Sequence, residues 1–306
     1  MPISVSALSR QPRVERLIER VRRTARSLRI RDEAAERRQL VASLPRKAAL
    51  DHAIGDTKGY AVLPVGTLDG VEAAAAFARQ YRDVHRNDVA KKKADYNPTI
   101  LEVKRYEDAP ELVDFVLSDN VLQVATDYLG EIPVLMGIKL WCTPPNQQEG
   151  KLKGSQMYHR DGQRWLLRRV KYLINMDEVD ADCGPFTFLP ADVSERISNS
   201  IGSIKDQARV KDDVVFGIAK PTDTISLIGP AGTAAAVDSS RCFHCGARVR
   251  RGERLLLQFH FLARADAVHG GSLRRTPAFT ARYGDDPVRN LLIPVRSEQY
   301  VEHHDD

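Results

Sequence analysis

From residue 131 onward the chain breaks into short runs of β-branched, aromatic and aliphatic residues, stopped by glycine, proline or acidic turns. Val134 to Thr143, Val170 to Met176, Gly184 to Pro190, Asp223 to Leu227, Gly232 to Asp238 and Glu253 to Ala263 read as strands. Short strands in this number must bury at least one face each, and the solutions open to them are a β-sandwich, a jelly roll or a barrel. Before residue 131 the apolar periodicity is helical over residues 12–42, 70–86 and 110–129. Asp69 is the expected N-cap of the second of these and Gly130 the C-cap of the third. Gly59 to Pro64 is a single early strand. The pattern predicts an α+β chain, a sandwich or jelly roll covered by N-terminal helices.

The 306 residues suffice for one substantial core. We expect a basic helical extension over residues 1–57 and one domain over 58–306, with an irregular, charged insertion at 194–221. Residues 1–11 read as disordered and residues 87–99, with Lys91, Lys92 and Lys93, as a loop. The net charge is +5, but residues 1–50 alone hold 13 Lys and Arg against 5 Asp and Glu, so the remainder is slightly acidic. The basic character therefore belongs to the first helix and does not indicate a nucleic-acid partner. In that helix Val14, Leu17, Ile18, Val21, Ala25 and Leu28 form a stripe, expected to pack on the domain or to meet a second copy of the chain. Four cysteines are too few for a disulfide scaffold. With no apolar run long enough to span a membrane and no secretory leader, the expected location is the cytoplasm.

Tyr158-His159-Arg160-Asp161-Gly162 places an imidazole and a carboxylate two residues apart in a region that reads as strand. On a strand such residues share a face, roughly 7 Å apart, while Arg160 points the other way. A second histidine would complete the two-histidine, one-carboxylate set of non-haem Fe(II) oxygenases, which leaves coordination positions open. His-Arg-Asp also opens a protein-kinase catalytic loop, but Leu166 stands where that loop needs asparagine, and no glycine-rich loop precedes it.

His52, His85, His244, His260, His269, His303 and His304 are the candidates for the third ligand. His244 is favoured because it sits between a strand and a turn, where a barrel mouth would present it. Ten residues further on, Arg254 begins a strand in which Arg254, Leu256 and Gln258 alternate with Leu255, Leu257 and Phe259. An arginine pointing into a barrel requires an anion, and its fork matches a carboxylate. 2-Oxoglutarate meets both demands, with its keto-acid end on iron and its far carboxylate on Arg254.

The order of these features resembles the phytanoyl-CoA dioxygenase family of Fe(II)/2-oxoglutarate oxygenases. The resemblance runs from the Gly59 to Pro64 strand, through Leu129-Gly130, His159-x-Asp161-Gly162, the Tyr172 to Met176 strand, Gly184-Pro185 and Leu189-Pro190, to Asp238, His244 and Arg254. It covers about residues 58–263. It implies a double-stranded β-helix with iron at His159, Asp161 and His244 and 2-oxoglutarate at Arg254. It also implies consumption of O2, release of succinate and CO2, and hydroxylation of a small-molecule C–H bond, since Asp161 retains the acid that related halogenases lack. Many members carry serine two residues after the arginine, where this chain has Leu256, so Lys139 and Gln156 become candidates for further 2-oxoglutarate contacts. Trp141, Tyr158, Arg164 and Trp165 flank the site in sequence.

Two other readings compete. Cys242-Phe243-His244-Cys245 is half of a zinc site, but Cys142 and Cys183 stand apart and supply no second pair. A non-catalytic cupin-like module would keep the fold and bind a metal or ligand without turnover.

Overall fold

Alternation along the longest strands divides the molecule into two apolar layers. The computed structural model describes residues 12–86, 97–145, 152–161, 167–201, 209–268 and 270–294. Six strands form one antiparallel sheet: β1 (Tyr60–Leu63), β2 (Thr99–Val103), β3 (Val134–Thr143), β4 (Arg169–Asn175), β7 (Ala234–Val237) and β9 (Arg254–Leu262). Their order is β1-β7-β4-β9-β3-β2. A smaller antiparallel sheet is built from two-residue strands, β5 (Thr187–Phe188), β6 (Ile225–Ser226) and β8 (His244–Cys245), in the order β6-β5-β8.

One face of the large sheet is apolar throughout. Ile138, Leu140 and Cys142 of β3, Val170, Tyr172 and Ile174 of β4, and Leu255, Leu257, Phe259 and Phe261 of β9 pack against helices. Those helices are α3 (Val71–Val84), α4 (Pro110–Val116) and α5 (Asp119–Leu129). Tyr172 stacks on Phe259 with centroids 4.7 Å apart, and its hydroxyl donates to Val121 O at 2.7 Å. Each such fully buried ring contributes about 1.5–3 kcal/mol of transfer free energy. The other face shares a second cluster with the small sheet, in which Leu173, Ala235, Val237 and Leu256 meet Phe186, Phe188 and Leu227.

Several local expectations are corrected. The first helical stretch divides at Ile30 into α1 (Pro12–Arg29) and α2 (Arg31–Gln39). On α1 the described part of the apolar stripe does not face the domain: Val21 is 61% and Leu28 69% exposed. Its other side docks instead, through Arg23 Nε to Asp266 Oδ1 at 2.8 Å and Arg26 Nε to Ala265 O at 3.1 Å. On α2, Arg37 is fully buried and donates to the carbonyls of Ile132, Pro133 and Leu291, tying the helix to the entry of β3. The cap of α3 is Gly70, at a positive φ of 81°, while Asp69 pairs with Lys47. The stretch 110–129 divides into α4 and α5, and Gly130 ends α5 in the left-handed conformation as expected. β2 was not anticipated, and it forms the sheet edge beside β3.

Strict alternation along β3 would put Leu135 on the face of Lys139 and Trp141. A register shift between Leu135 and Gly137 turns it into the helix-side core with Ile138. The insertion is not irregular either, since α6 (Ala191–Ser200) and α7 (Asp212–Phe216) lie in and beside it. They build a separate cluster around Leu189, Ile197, Val215 and Phe243. After β9, α8 (Pro277–Tyr283) and α9 (Pro287–Leu292) return Phe279 and Leu292 to the main core. Among the described residues, no helix is long and apolar enough to cross a membrane.

The expectations for residues 1–11, for most of the 87–99 loop with its lysines, and for Gly162, Arg164, Trp165, His269, His303 and His304 lie outside the described residues.

Candidate metal centre

His159 does not lie in a regular strand. Tyr158 and His159 each form a single bridge, Tyr158 to Val210 and His159 to His244. The second joins the His159 segment to β8 by two backbone bonds, His159 N to His244 O at 3.0 Å and His244 N to His159 O at 2.9 Å. Directly opposed residues in such a pair send their side chains to one face, and the two imidazole centroids are 4.3 Å apart. Asp161 follows on the same side, with its N–H donating to Ser239 O at 2.8 Å.

Both rings are oriented alike. His159 Nδ1 lies 2.8 Å from Met157 O, and His244 Nδ1 lies 3.0 Å from Cys242 O. A carbonyl only accepts, so Nδ1 carries the proton and Nε2 presents its lone pair. Asp161 Oδ1 is 3.9 Å from His159 Nε2, and Oδ2 is 3.7 Å from His244 Nε2. One ligand atom from each residue lies within 4.8 Å of the others, near enough for a single ion to be shared. His244 Nε2 is buried and has no hydrogen-bond partner among the described residues. An orphaned lone pair facing a carboxylate fits a cation.

Electrostatics prepares the same set. Burial, and then the neighbouring His244, push His159 down from the usual 6.5 to about 3, so it is neutral at physiological pH. Burial alone would raise the Asp161 carboxyl, but the Lys171 ammonium beside it outweighs that and holds the group well below the ordinary carboxylate range. Lys171, on β4, makes an ion pair with Asp161 Oδ2. This lysine was missed in the sequence. Its signal was alternation: Lys171 and Leu173 share a face, while Val170, Tyr172 and Ile174 take the core face.

A pocket enclosing ≈ 410 Å³, open solvent included, adjoins the triad, and Trp141, His159, Lys171, His244, Arg254 and Gln258 are among its lining. Arg254 is 2% exposed. Its Nη1 donates to Gly184 O at 2.7 Å, and its Nη2 lies 3.4 Å from Thr143 Oγ1. Its Nε has no partner, and no carboxylate pairs with it among the described residues. Burial lowers its pKa to about 10 and leaves it charged at neutral pH. Gly246 makes room for it, since a Cβ there would stand 2.9 Å from Nη1.

The remaining expected residues lie elsewhere. Lys139 shares the Trp141 face of β3 but pairs with Glu102 at 3.7 Å and does not line the pocket. Gln156 is buried, yet its amide accepts from Lys153 N and donates to Ala247 O. It fastens the segment before His159 to the segment after β8. Arg160 lies over the Phe243 ring, 5.0 Å from its centroid. Tyr158 packs in the insertion cluster against Phe216 rather than at the pocket. Among the described residues, no second group of metal-binding side chains joins Cys242 and Cys245. His260 lies on the pocket side of β9 but outside the triad, and His85 stacks on Tyr81.

Solved structures offer remote likenesses. HygX from Streptomyces hygroscopicus with nickel and 2-oxoglutarate bound is 13% identical, covering 72% of this chain and 88% of that one, at a TM-score of 0.46. The non-heme alpha ketoglutarate dependent epimerase SnoN from nogalamycin biosynthesis is 16% identical over 71% of this chain and 84% of that one, at 0.48. The carbocyclase SnoK, from the same biosynthesis, is 14% identical over 72% and 85%, at 0.46. No protein-family model matches the chain, and no curated protein matches it. At this distance the chemistry has to come from the site itself.

Proposed function

We propose that the protein is an Fe(II)- and 2-oxoglutarate-dependent oxygenase of jelly-roll, double-stranded β-helix type that hydroxylates a small-molecule C–H bond. The observation that carries this reading is a His159–Asp161–His244 set whose two histidines line one pocket with Arg254, a buried guanidinium that lacks a counter-acid among the described residues. Two imidazoles and one carboxylate suit non-haem iron and leave positions free for a chelating co-substrate and O2. Iron held by His159, Asp161 and His244 would supply the oxidant for the C–H bond at the expense of O2 and 2-oxoglutarate, with succinate and CO2 as the by-products.

The chain's own residues perform the rest. His159 and His244 offer Nε2 atoms already aimed by the backbone acceptors of their Nδ1 atoms. Asp161 stays ionised because Lys171 stands beside it. Arg254 offers its charge and its unpartnered Nε–H to the far carboxylate of 2-oxoglutarate, and Gly184 O and Thr143 fix its plane. Trp141, Leu173, Phe186 and Leu256 give the pocket apolar walls that exclude water from the reacting C–H bond.

The test is direct. Purified protein given Fe(II), 2-oxoglutarate and O2 should release succinate when screened against a library of small molecules, and His244→Ala should release none. If the metal-loaded protein binds no 2-oxoglutarate and yields no succinate with any substrate, the non-catalytic module is the better reading.

A further inference from the structure

The pocket face of the large sheet carries more positive charge than the co-substrate reading uses. Arg169 and Lys171 stand two residues apart on β4 and so project to the same side. Lys171 pairs with Asp161 Oδ2, and Arg169 Nη1 lies 3.9 Å from that same oxygen. Both side chains are largely withdrawn from water, at 20% exposure for Arg169 and 11% for Lys171. Arg169 Nε is buried with no hydrogen-bond partner among the described residues. His260 is the cross-strand partner of Lys171 on β9. Burial, followed by the charges of Arg169 and Lys171, pushes His260 down to about 3, so it adds a neutral donor or acceptor rather than a third charge.

Two desolvated cations thus share one carboxylate, and that carboxylate is the only acid of the proposed ligand set. Once Asp161 serves a divalent ion, it no longer neutralises both of them. The far carboxylate of the co-substrate does not supply the relief, because Arg254, which takes it, stands six residues from His260 on β9, roughly 20 Å along the strand. A partly buried cation pair without a counter-charge is costly, and a negative group arriving with the substrate removes that cost.

We propose that Arg169 and Lys171 anchor an anionic group of the substrate, a carboxylate or a phosphate, on the Asp161 side of the metal centre. The anchor orients the substrate from the end of the sheet face opposite Arg254, so that its apolar body lies along the pocket. It rests on the metal reading above, and the experiment separates the two.

Nickel-loaded protein saturated with 2-oxoglutarate is titrated calorimetrically with octanoate, octyl phosphate and octanamide. At least one anion should bind, more weakly as salt is raised, and the amide should bind at least tenfold more weakly than that anion. Preference for octanoate identifies a carboxylate substrate, and preference for octyl phosphate a phosphate ester. Arg169→Gln should weaken anion binding at least tenfold while 2-oxoglutarate affinity changes less than twofold, and Arg169→Lys should retain most of it. Should octanamide match the anions, should neither anion bind, or should Arg169→Gln bind them normally, the anchor is overturned. If 2-oxoglutarate fails to bind but Arg169-dependent anion binding persists, the co-substrate reading falls and the anchor stands.

Discussion

His159 and His244 are mirror partners across one antiparallel bridge, and each turns its Nδ1 back to the carbonyl two residues earlier in its own chain segment, Met157 for one and Cys242 for the other. The two Nε2 atoms are therefore aimed by backbone geometry rather than by a metal. This preorganisation lowers the entropic cost of binding an ion, because neither ring has to be found and fixed when the ion arrives.

Removal of any one of the three should then be decisive. His159→Ala, Asp161→Ala and His244→Ala are each expected to abolish metal-dependent turnover. Metal titration should fall from one tight equivalent to weak binding, by at least the 10–100-fold that supporting residues alone typically cost. Wild-type activity in Asp161→Ala would sink the ligand assignment.

Arg254 should govern the co-substrate without governing the metal. Arg254→Gln removes charge-assisted hydrogen bonds worth about 1.5–3 kcal/mol, so 2-oxoglutarate should bind roughly 10–100-fold more weakly while metal affinity is retained. Gly246→Ala is expected to have a smaller effect of the same kind, since its Cβ would crowd Nη1 from 2.9 Å. Calorimetry on the metal-loaded variants checks both, and a loss of metal binding in Arg254→Gln would contradict the division of roles.

The turn that delivers His244 is held by a buried carboxylate. Asp238 accepts from the Tyr128 hydroxyl at 2.6 Å and from Ser240 N at 3.1 Å, and Ser240 Oγ lies 2.5 Å from it. Burial raises the Asp238 carboxyl above the ordinary range even so. Tyr128→Phe removes one donor to this group and should destabilise the fold by about 1.5–3 kcal/mol in urea denaturation. An unchanged midpoint would show that the network does not bear on stability.

Acid should unfold the metal-free protein early. His159 and His260 both have folded values near 3 against an ordinary 6.5, so the unfolded chain binds more protons between those limits. The stability tied to their neutral forms is fully present above pH 6.5 and is lost as pH falls toward 3. Thermal midpoints measured from pH 7 to pH 4 should decline, and His260→Gln should flatten the decline. A flat wild-type profile over that window would refute it.

The sequence by itself marked the helical stretches before residue 131, the alternation of β4 and β9, and His159, Asp161, His244 and Arg254 as candidates. Those features are local. Two-residue periodicity fixes which side chains share a face, and a motif such as His-x-Asp needs only its own strand-like backbone to be legible. Gly130 was equally readable, because a helix end in the left-handed region favours glycine for its own steric reasons.

Only the tertiary structure decided what depends on partners remote in the chain. Lys171 matters because the chain brings β4 beside Asp161, and no spacing in sequence announces that ion pair. Lys139 and Gln156 looked suited to the co-substrate, yet Glu102 on a neighbouring strand and Ala247 beyond β8 claim them. The bulge after Leu135 and the outward Val21 and Leu28 of α1 have the same origin: which face is covered is set by what packs there, and amphipathic periodicity fixes only that two faces exist.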